Sequence, residues 1–313
     1  VPGLLHSILD DVSVESPLDV AGIRVFPLNW SAEQGSGPVH AAHRPGASPL
    51  DVIREAGEAP SRTLLHFRNR GRFPVLLPEG ALFFGEGYTR VARESQVIEA
   101  GDQRTMSFCC LDKSPSDSAK SPISLGLAIA PHAIRLHLKR LRDCGEVLGL
   151  CSVWERLMGL TDHAGLLRSD PRARGLEGLG LPPEDARSVD ERLVRRSGVA
   201  GMLTAVEGRL VGFDLFGSHA LLADHVVPLL AASVLDRDSR ALDGEAGGIV
   251  ELSEAMAFLG DVRDALDRTD GQREHMAATR TWETSESIAH ALLHDNGLVH
   301  LSVSGGESDV GRA

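Results

Sequence analysis

Four side chains, Glu79, Cys110, Asp112 and Asp214, have the types that could serve as acid, base or nucleophile, and Arg90 lies in the same stretch as the first three. Glu79-Gly80 and Gly85-Glu86-Gly87 bracket the apolar run Ala81-Leu82-Phe83-Phe84. Glycine turns let bare backbone N–H groups approach a ligand. An arginine guanidinium grips phosphate or carboxylate through two parallel bonds. Gly80, Gly85, Gly87, Tyr88 and Arg90 are therefore candidate ligand-binding residues, suited to a small anionic or nucleotide-like molecule. Glu79, Cys110, Asp112 and Asp214 are the candidate catalytic groups. The plainer reading of the glycines is two β-turns that need positive φ. The pattern opens no helix, so it is not a G-x-G-x-x-G dinucleotide fingerprint.

Cys110 and Asp112 are two residues apart, which puts them on one face of a strand. A nucleophilic cysteine needs a base or cation beside it. None is local, so a small buried side chain is the competing reading; Cys109 points to the core. Asp214 lies between Phe213 and Leu215 and needs a partner. It either caps the helix starting near Ser218 or faces a cleft with Glu79 and Arg90. His132, Arg135, Lys139 and Arg142 fall along one helix stripe, with Arg140 beside it. That stripe is either an anion surface or an ordinary solvated face. The pairs His40/His43, His219/His225 and His290/His294 lack a well-spaced third ligand, so no metal is expected. Trp154 and Trp282 suit a core better than base stacking. No cofactor is named by these residues.

Short strands must position this set. They are expected at Ile23–Leu28, Thr63–Arg68, Phe73–Leu77, Leu82–Phe84, Tyr88–Arg93, Gln96–Ile98 and Arg104–Cys110, with glycines between them. A short helix is expected over Pro49–Ala56 with Ser48 as its cap. Residues 113–124 (KSPSDSAKSPIS) form an exposed loop. Helices follow at His132–Asp143, with Pro131 in its first turn, and at Gly145–Leu160. Residues 170–187 look like a hinge or insertion. Strands Val199–Val206 and Arg209–Phe213 are joined by Glu207-Gly208. Helices at Ser218–Leu235, with Pro228 kinking it or marking a first turn, and at Leu252–Leu266 precede strands His275–Glu283, Ile288–Asp295 and Val299–Val303. Asp295-Asn296-Gly297 is a strong hairpin signal.

The expected class is α+β, with an antiparallel β-rich N-terminal half, a helical middle and a smaller α+β C-terminal half packed against it. The divisions are 1–168 for the first half and its two helices, 169–190 for a linker or insertion, 191–304 for the second half and 305–313 for a disordered tail. The net charge of −12 opposes non-specific nucleic-acid binding, which needs a basic footprint. The longest apolar run, Ile123–Pro131, is far short of a bilayer span. The next candidate, Ala220–Leu235, contains Asp224, His225 and Pro228. The first residues lack the form of a signal peptide. The four cysteines, Cys109, Cys110, Cys144 and Cys151, form no C-x-x-C pair and read as reduced thiols. A cytoplasmic location follows as the expectation.

Several stretches together resemble one bacterial family: Pro17–Pro27, the strand pair Leu64–Val75 turning at Asn69-Arg70-Gly71, Cys110-Leu111-Asp112, Ser152-Val153-Trp154-Glu155 and Gly208–Phe216. The family is the domain associated with ADP-ribosylglycohydrolases and rhodanese-phosphatase proteins, and the likeness spans about 17–304. Its members carry two acids and then Lys-Gln-Asn-Arg in the 80s. Here Ala81 and Leu82 hold the acidic places, and Gly87, Tyr88 and Thr89 the next three. Glu79, Gly80, Gly85 and Arg90 keep their type, and the family's Gly-Arg-Trp after the cysteine is replaced by the Ser/Pro loop. The resemblance implies an NAD or ADP-ribose setting. Three functions stay open: a binding or assembly module without turnover serving a protein partner, an enzyme acting on an ADP-ribose-like or nucleotide-like substrate, and a divergent member in specialised metabolism.

Overall fold

The structure is a computed structural model, and it describes residues 2–20, 22–30, 39–42, 49–53, 63–85, 88–112, 124–141, 148–160, 183–242, 248–268, 274–275 and 279–305. The chain is α+β with mostly antiparallel sheets, and it forms two compact units. One comprises residues 1–37, 180–226 and 236–307; the other comprises 38–179, 227–235 and 308–313. The composition-based division put residues 1–168 together. Contacts instead group 1–37 with the C-terminal segments, because an N-terminal strand pairs along its length with a C-terminal one.

The first unit is built on one long sheet. Helix α1 (Pro2–Asp11) precedes β1 (Ser13–Val14), β2 (Leu18–Val20) and β3 (Ile23–Asn29). Helix α4 (Pro183–Val189) runs into a π-turn at Asp190–Val194, then β13 (Val199–Val206) and β14 (Arg209–Phe216). Helices α5 (His219–Leu242), whose residues 227–235 group with the second unit, and α6 (Leu252–Arg268) follow. Strands β15 (Glu274–His275), β16 (Thr279–Glu283), β17 (Ser287–His294) and β18 (Gly297–Gly305) complete it. The order is β1-β3-β13-β14-β18-β17-β16-β15, with β2 beside β3. Phe26, Leu28, Leu203, Phe213, Leu215, Leu301 and Val303 belong to one core with Leu5, Ile8 and Leu9 of α1 and Leu259 and Val262 of α6. Alternation puts the intervening residues of each strand on the opposite sheet face.

Two tight hairpins close this sheet. Asp295 and Asn296 have φ of 48° and 61°, with His294 paired to Gly297. Glu207 and Gly208 have φ of 46° and 71°, with Val206 paired to Arg209. Two-residue turns with both φ positive match the right-handed twist of the flanking strands. The first hairpin confirms the Asp-Asn-Gly expectation. Helix α5 continues through Pro228 in its interior rather than starting there. It is long and apolar enough by composition to cross a membrane, but 72% of that stretch is buried inside the protein, as befits a core helix.

The second unit holds β4 (His40–Ala41), β5 (Leu50–Ile53), β6 (Leu64–Asn69), β7 (Val75–Leu77), β8 (Ala81–Gly85), β9 (Tyr88–Ala92), β10 (Gln96–Ile98), β11 (Gln103–Cys110) and β12 (Ser124–Ile129). Its helices are α2 (His132–Arg140) and α3 (Leu148–Leu160). The sheets are β12-β8-β9-β11-β6-β5 and β10-β7-β4. Strand β5 replaces the helix expected over Pro49–Ala56, because residues 50–53 pair with Asn69–His66 of β6. Strand pairing here overrides local helix signals. Strand β12 was read only as an apolar run. Phe67, Phe83 and Phe108 pack edge-on or tilted on one another, with centroids 5.0 to 5.7 Å apart. The opposite face of the same strands gives Leu82, Val91 and Cys109 to a second core with Trp154 of α3.

Candidate functional site

The ribbon of β8 and β9, with the end of β11, sets five candidate residues in the second unit. Register pairs Gly85 with Tyr88 and Phe83 with Arg90, and Arg90 with Cys110 of β11. Phe83, Arg90 and Cys110 thus form one cross-strand row. Gly85 has φ of 148°, a conformation that only glycine adopts without strain. Its carbonyl accepts a 3.1 Å bond from the Arg90 guanidinium, whose carbon lies 5.5 Å from the Tyr88 ring centre. Asp112 accepts the backbone N–H of Thr89, and Leu111 donates to the Thr89 carbonyl at 2.9 Å. The Cys110 thiol donates to the Asp112 carbonyl at 3.4 Å, and the Cys151 thiol to the Cys110 carbonyl at 3.6 Å. The structure therefore gathers Gly85, Tyr88, Arg90, Cys110 and Asp112. Gly85, Arg90 and Cys110 are buried, Arg90 fully, while Tyr88 and Asp112 are half-buried. Gly87 lies outside the described residues, as do Glu86, Arg142, Cys144 and His43.

Glu79 belongs to a buried ion cluster. Its carboxylate lies 2.8 Å from Lys139 Nζ and 3.5 Å from Arg135 Nε of α2, and all three side chains are 0% exposed. The helix stripe expected as a solvated face or anion surface is thus inside. Of its described residues, His132, Arg135 and Lys139 are buried and Arg140 is exposed. The physical reason is Glu79, which offsets cations that would not otherwise leave water. Gly80 explains the close fit. Its φ is +80°, and a Cβ there would stand 3.0 Å from Arg135 Cδ and Cγ. Its N–H donates to Ala92 and its carbonyl accepts from Ala130, both at 2.8 Å. The Glu79 N–H donates to Ser95 Oγ at 2.9 Å. These backbone groups hold the turn together rather than facing a ligand.

Asp214 belongs to the first unit. It does not cap α5, because Ser218 Oγ accepts from the Leu221 N–H at 3.2 Å and does so instead. Asp214 Oδ1 lies 3.0 Å from His300 Nε2, with the two side chains 2% and 1% exposed. The His300 ring stacks on Phe216 at 4.6 Å, and His225 stacks on Phe216 at 4.8 Å. Asp214 pairs in register with Ser302, and Ser302 with His290. His300 and Ser302 were missed by sequence reading. The alternation Val299-His300-Leu301-Ser302-Val303-Ser304 by itself reads as a strand with one polar, solvent-facing side, whereas the fold buries His300, Ser302 and Ser304.

Among the described residues no cluster of three His, Cys, Asp or Glu has metal-site geometry. His219 lies 2.8 Å from the carbonyls of Val194 and Val199 through its two ring nitrogens. Trp154 is a core residue, and Trp282 is too, donating to the Val262 carbonyl at 2.9 Å.

The C-terminal strands carry the recognisable sequence. Residues 181–304 match the family model of the ARG and Rhodanese-Phosphatase-superfamily-associated Protein domain, ARPP-1. This is the family the resemblance named, and the name links it to proteins associated with ADP-ribosylglycohydrolases. The ARPP-1 segment contains β13 to β18 and the Asp214–His300 pair; β3 and the β8–β9 ribbon fall outside it. No curated protein and no solved structure matches the chain.

Proposed function

We propose that this protein is a binding or assembly module without turnover, working in an NAD or ADP-ribose setting. The observation that carries this reading is the Glu79 cluster. The acid best placed for chemistry is 0% exposed and lies against Lys139 and Arg135. Arg90, meant to grip a ligand, is buried and donates to Gly85. An acid or cation committed to internal partners would have to break them to touch a substrate, and a buried ion pair is costly to break. The same polar string is where the chain departs from the pattern of the family it resembles, at Ala81, Leu82, Gly87, Tyr88 and Thr89.

A second reading, an enzyme on a nucleotide-like substrate, is favoured by Asp214, which orients His300 beside the Ser302–His290 pair. An aspartate that orients a histidine is a recurrent general-base device. One experiment separates the two. The full chain is incubated with NAD, ADP-ribose and an ADP-ribosylated peptide, and products are followed by mass spectrometry. The module reading expects all three to stay intact. Product formed by the wild type and lost in Asp214→Asn would establish the enzyme.

A further inference from the structure

The turn between β6 and β7 presents two arginines and an aromatic ring at the surface. Asn69 is fully buried. Its Nδ2 donates to the carbonyls of Phe73 and Ile98, both at 2.9 Å, and its Oδ1 accepts the Gly71 N–H at 2.8 Å. The Arg70 N–H donates to the Pro49 carbonyl at 2.7 Å. A Cβ on Gly71 would stand 2.9 Å from Pro49 Cβ, so the turn is packed tight. Held this way, it sends three consecutive large side chains outward around Gly71: Arg70, Arg72 and Phe73 are all exposed.

Phe73 is 43% exposed, one of few large apolar side chains that are so among the described residues. It is also ordered from beneath. Its ring lies on the His40 imidazole at 4.5 Å with 3° between the planes. His40 is in turn fixed by β4, which pairs with Val75, and by its N–H bond to the Pro74 carbonyl at 2.9 Å. A parallel stack covers one ring face, so the exposed area falls on the other face and the edge. A supported aromatic face accepts a planar base with little loss of side-chain entropy. Arg72 precedes it directly in the chain and Arg70 lies across Gly71, both exposed, with Arg70 shared with Asp51. Arginine is the side chain suited to phosphate.

We propose that the Arg70–Phe73 turn is a ligand subsite for a nucleotide: the base stacks on the open face of Phe73, and the phosphate meets Arg72 with Arg70 beside it. This rests on the binding-module reading and gives it a ligand class and a place outside the buried β8–β9 ribbon. The test titrates the full chain with AMP, adenosine and inorganic phosphate by calorimetry, for wild type, Phe73→Ala and Arg72→Ala. AMP should bind more tightly than adenosine or phosphate. Phe73→Ala should weaken AMP by about tenfold or more, the range seen when an aromatic stacking platform is removed. Arg72→Ala should weaken AMP but leave adenosine unchanged, and it should flatten the salt dependence. Both side chains are exposed, so thermal unfolding should stay at the wild-type temperature. No AMP binding at millimolar concentration overturns the proposal, as does AMP binding that survives both substitutions. Consumption of NAD or ADP-ribose by the wild type would instead overturn the module reading, and leaves the AMP result standing.

Discussion

Glu79, Arg135 and Lys139 share a space from which water is excluded, and each is there because the others are. Deleting one partner of such a cluster leaves an uncompensated buried charge, which costs about 3–5 kcal/mol. Glu79→Ala is therefore expected to lower the unfolding free energy by about that amount in urea denaturation. Replacing Glu79 and Lys139 together by Leu and Met should cost less than the two single changes added, because they interact directly. On the same helix, burial lowers the His137 pKa below its ordinary 6.5, and the nearby Arg140 charge adds to it. The unfolded chain then binds more protons than the folded one just below pH 6.5, so stability falls as pH drops through that range. His137→Asn should flatten that part of the stability–pH curve, as read from denaturation midpoints at about pH 7.5 and about pH 5.5. An unchanged slope would show that other groups set it.

Helix α2 and the turn before β8 meet through a missing side chain. Gly80 has φ of +80° and lies against Arg135, whereas Gly101 has φ of +77° with nothing within 4 Å of a Cβ placed there. Gly101→Ala should therefore show the backbone strain alone, about 1 kcal/mol. Gly80→Ala should add displacement of Arg135 from Glu79 and cost clearly more, about 2–4 kcal/mol. Thermal unfolding of the two variants measures the difference. Equal losses would mean that Arg135 gives way freely. The hairpins show the converse, since Asp295 and Asn296 tolerate positive φ and their strands pair as their turn residues require.

The first unit draws its sheet from both ends of the chain. β3 pairs with β13 over nearly its whole length, and α1 adds Leu5, Ile8 and Leu9 to the core. A fragment cut at the ARPP-1 limits, 181–304, lacks these pieces and exposes β13 as an open edge. It should show no cooperative thermal transition by circular dichroism, and a peptide of residues 1–37 added in trans should restore one. A sharp transition in the fragment alone would mean that β3 and α1 are dispensable.

Local chemistry made much of the architecture legible. Apolar runs marked β3, β6, β13 and β14, and glycine or Asp-Asn-Gly turns marked the breaks, because these signals act within a few residues. The same rules missed β5, whose strand state comes from β6. The candidate site was legible as a set of residue types but not as an arrangement. Sequence put Glu79 with Arg90 and Asp214. The tertiary structure gave Glu79 to cations on α2, more than fifty residues along the chain, and Asp214 to His300 across β14 and β18. Charge type and spacing are properties of the chain, whereas burial and pairing depend on which distant strands and helices close over a side chain. That is why the same cations read as a solvated stripe in sequence and stand inside the fold.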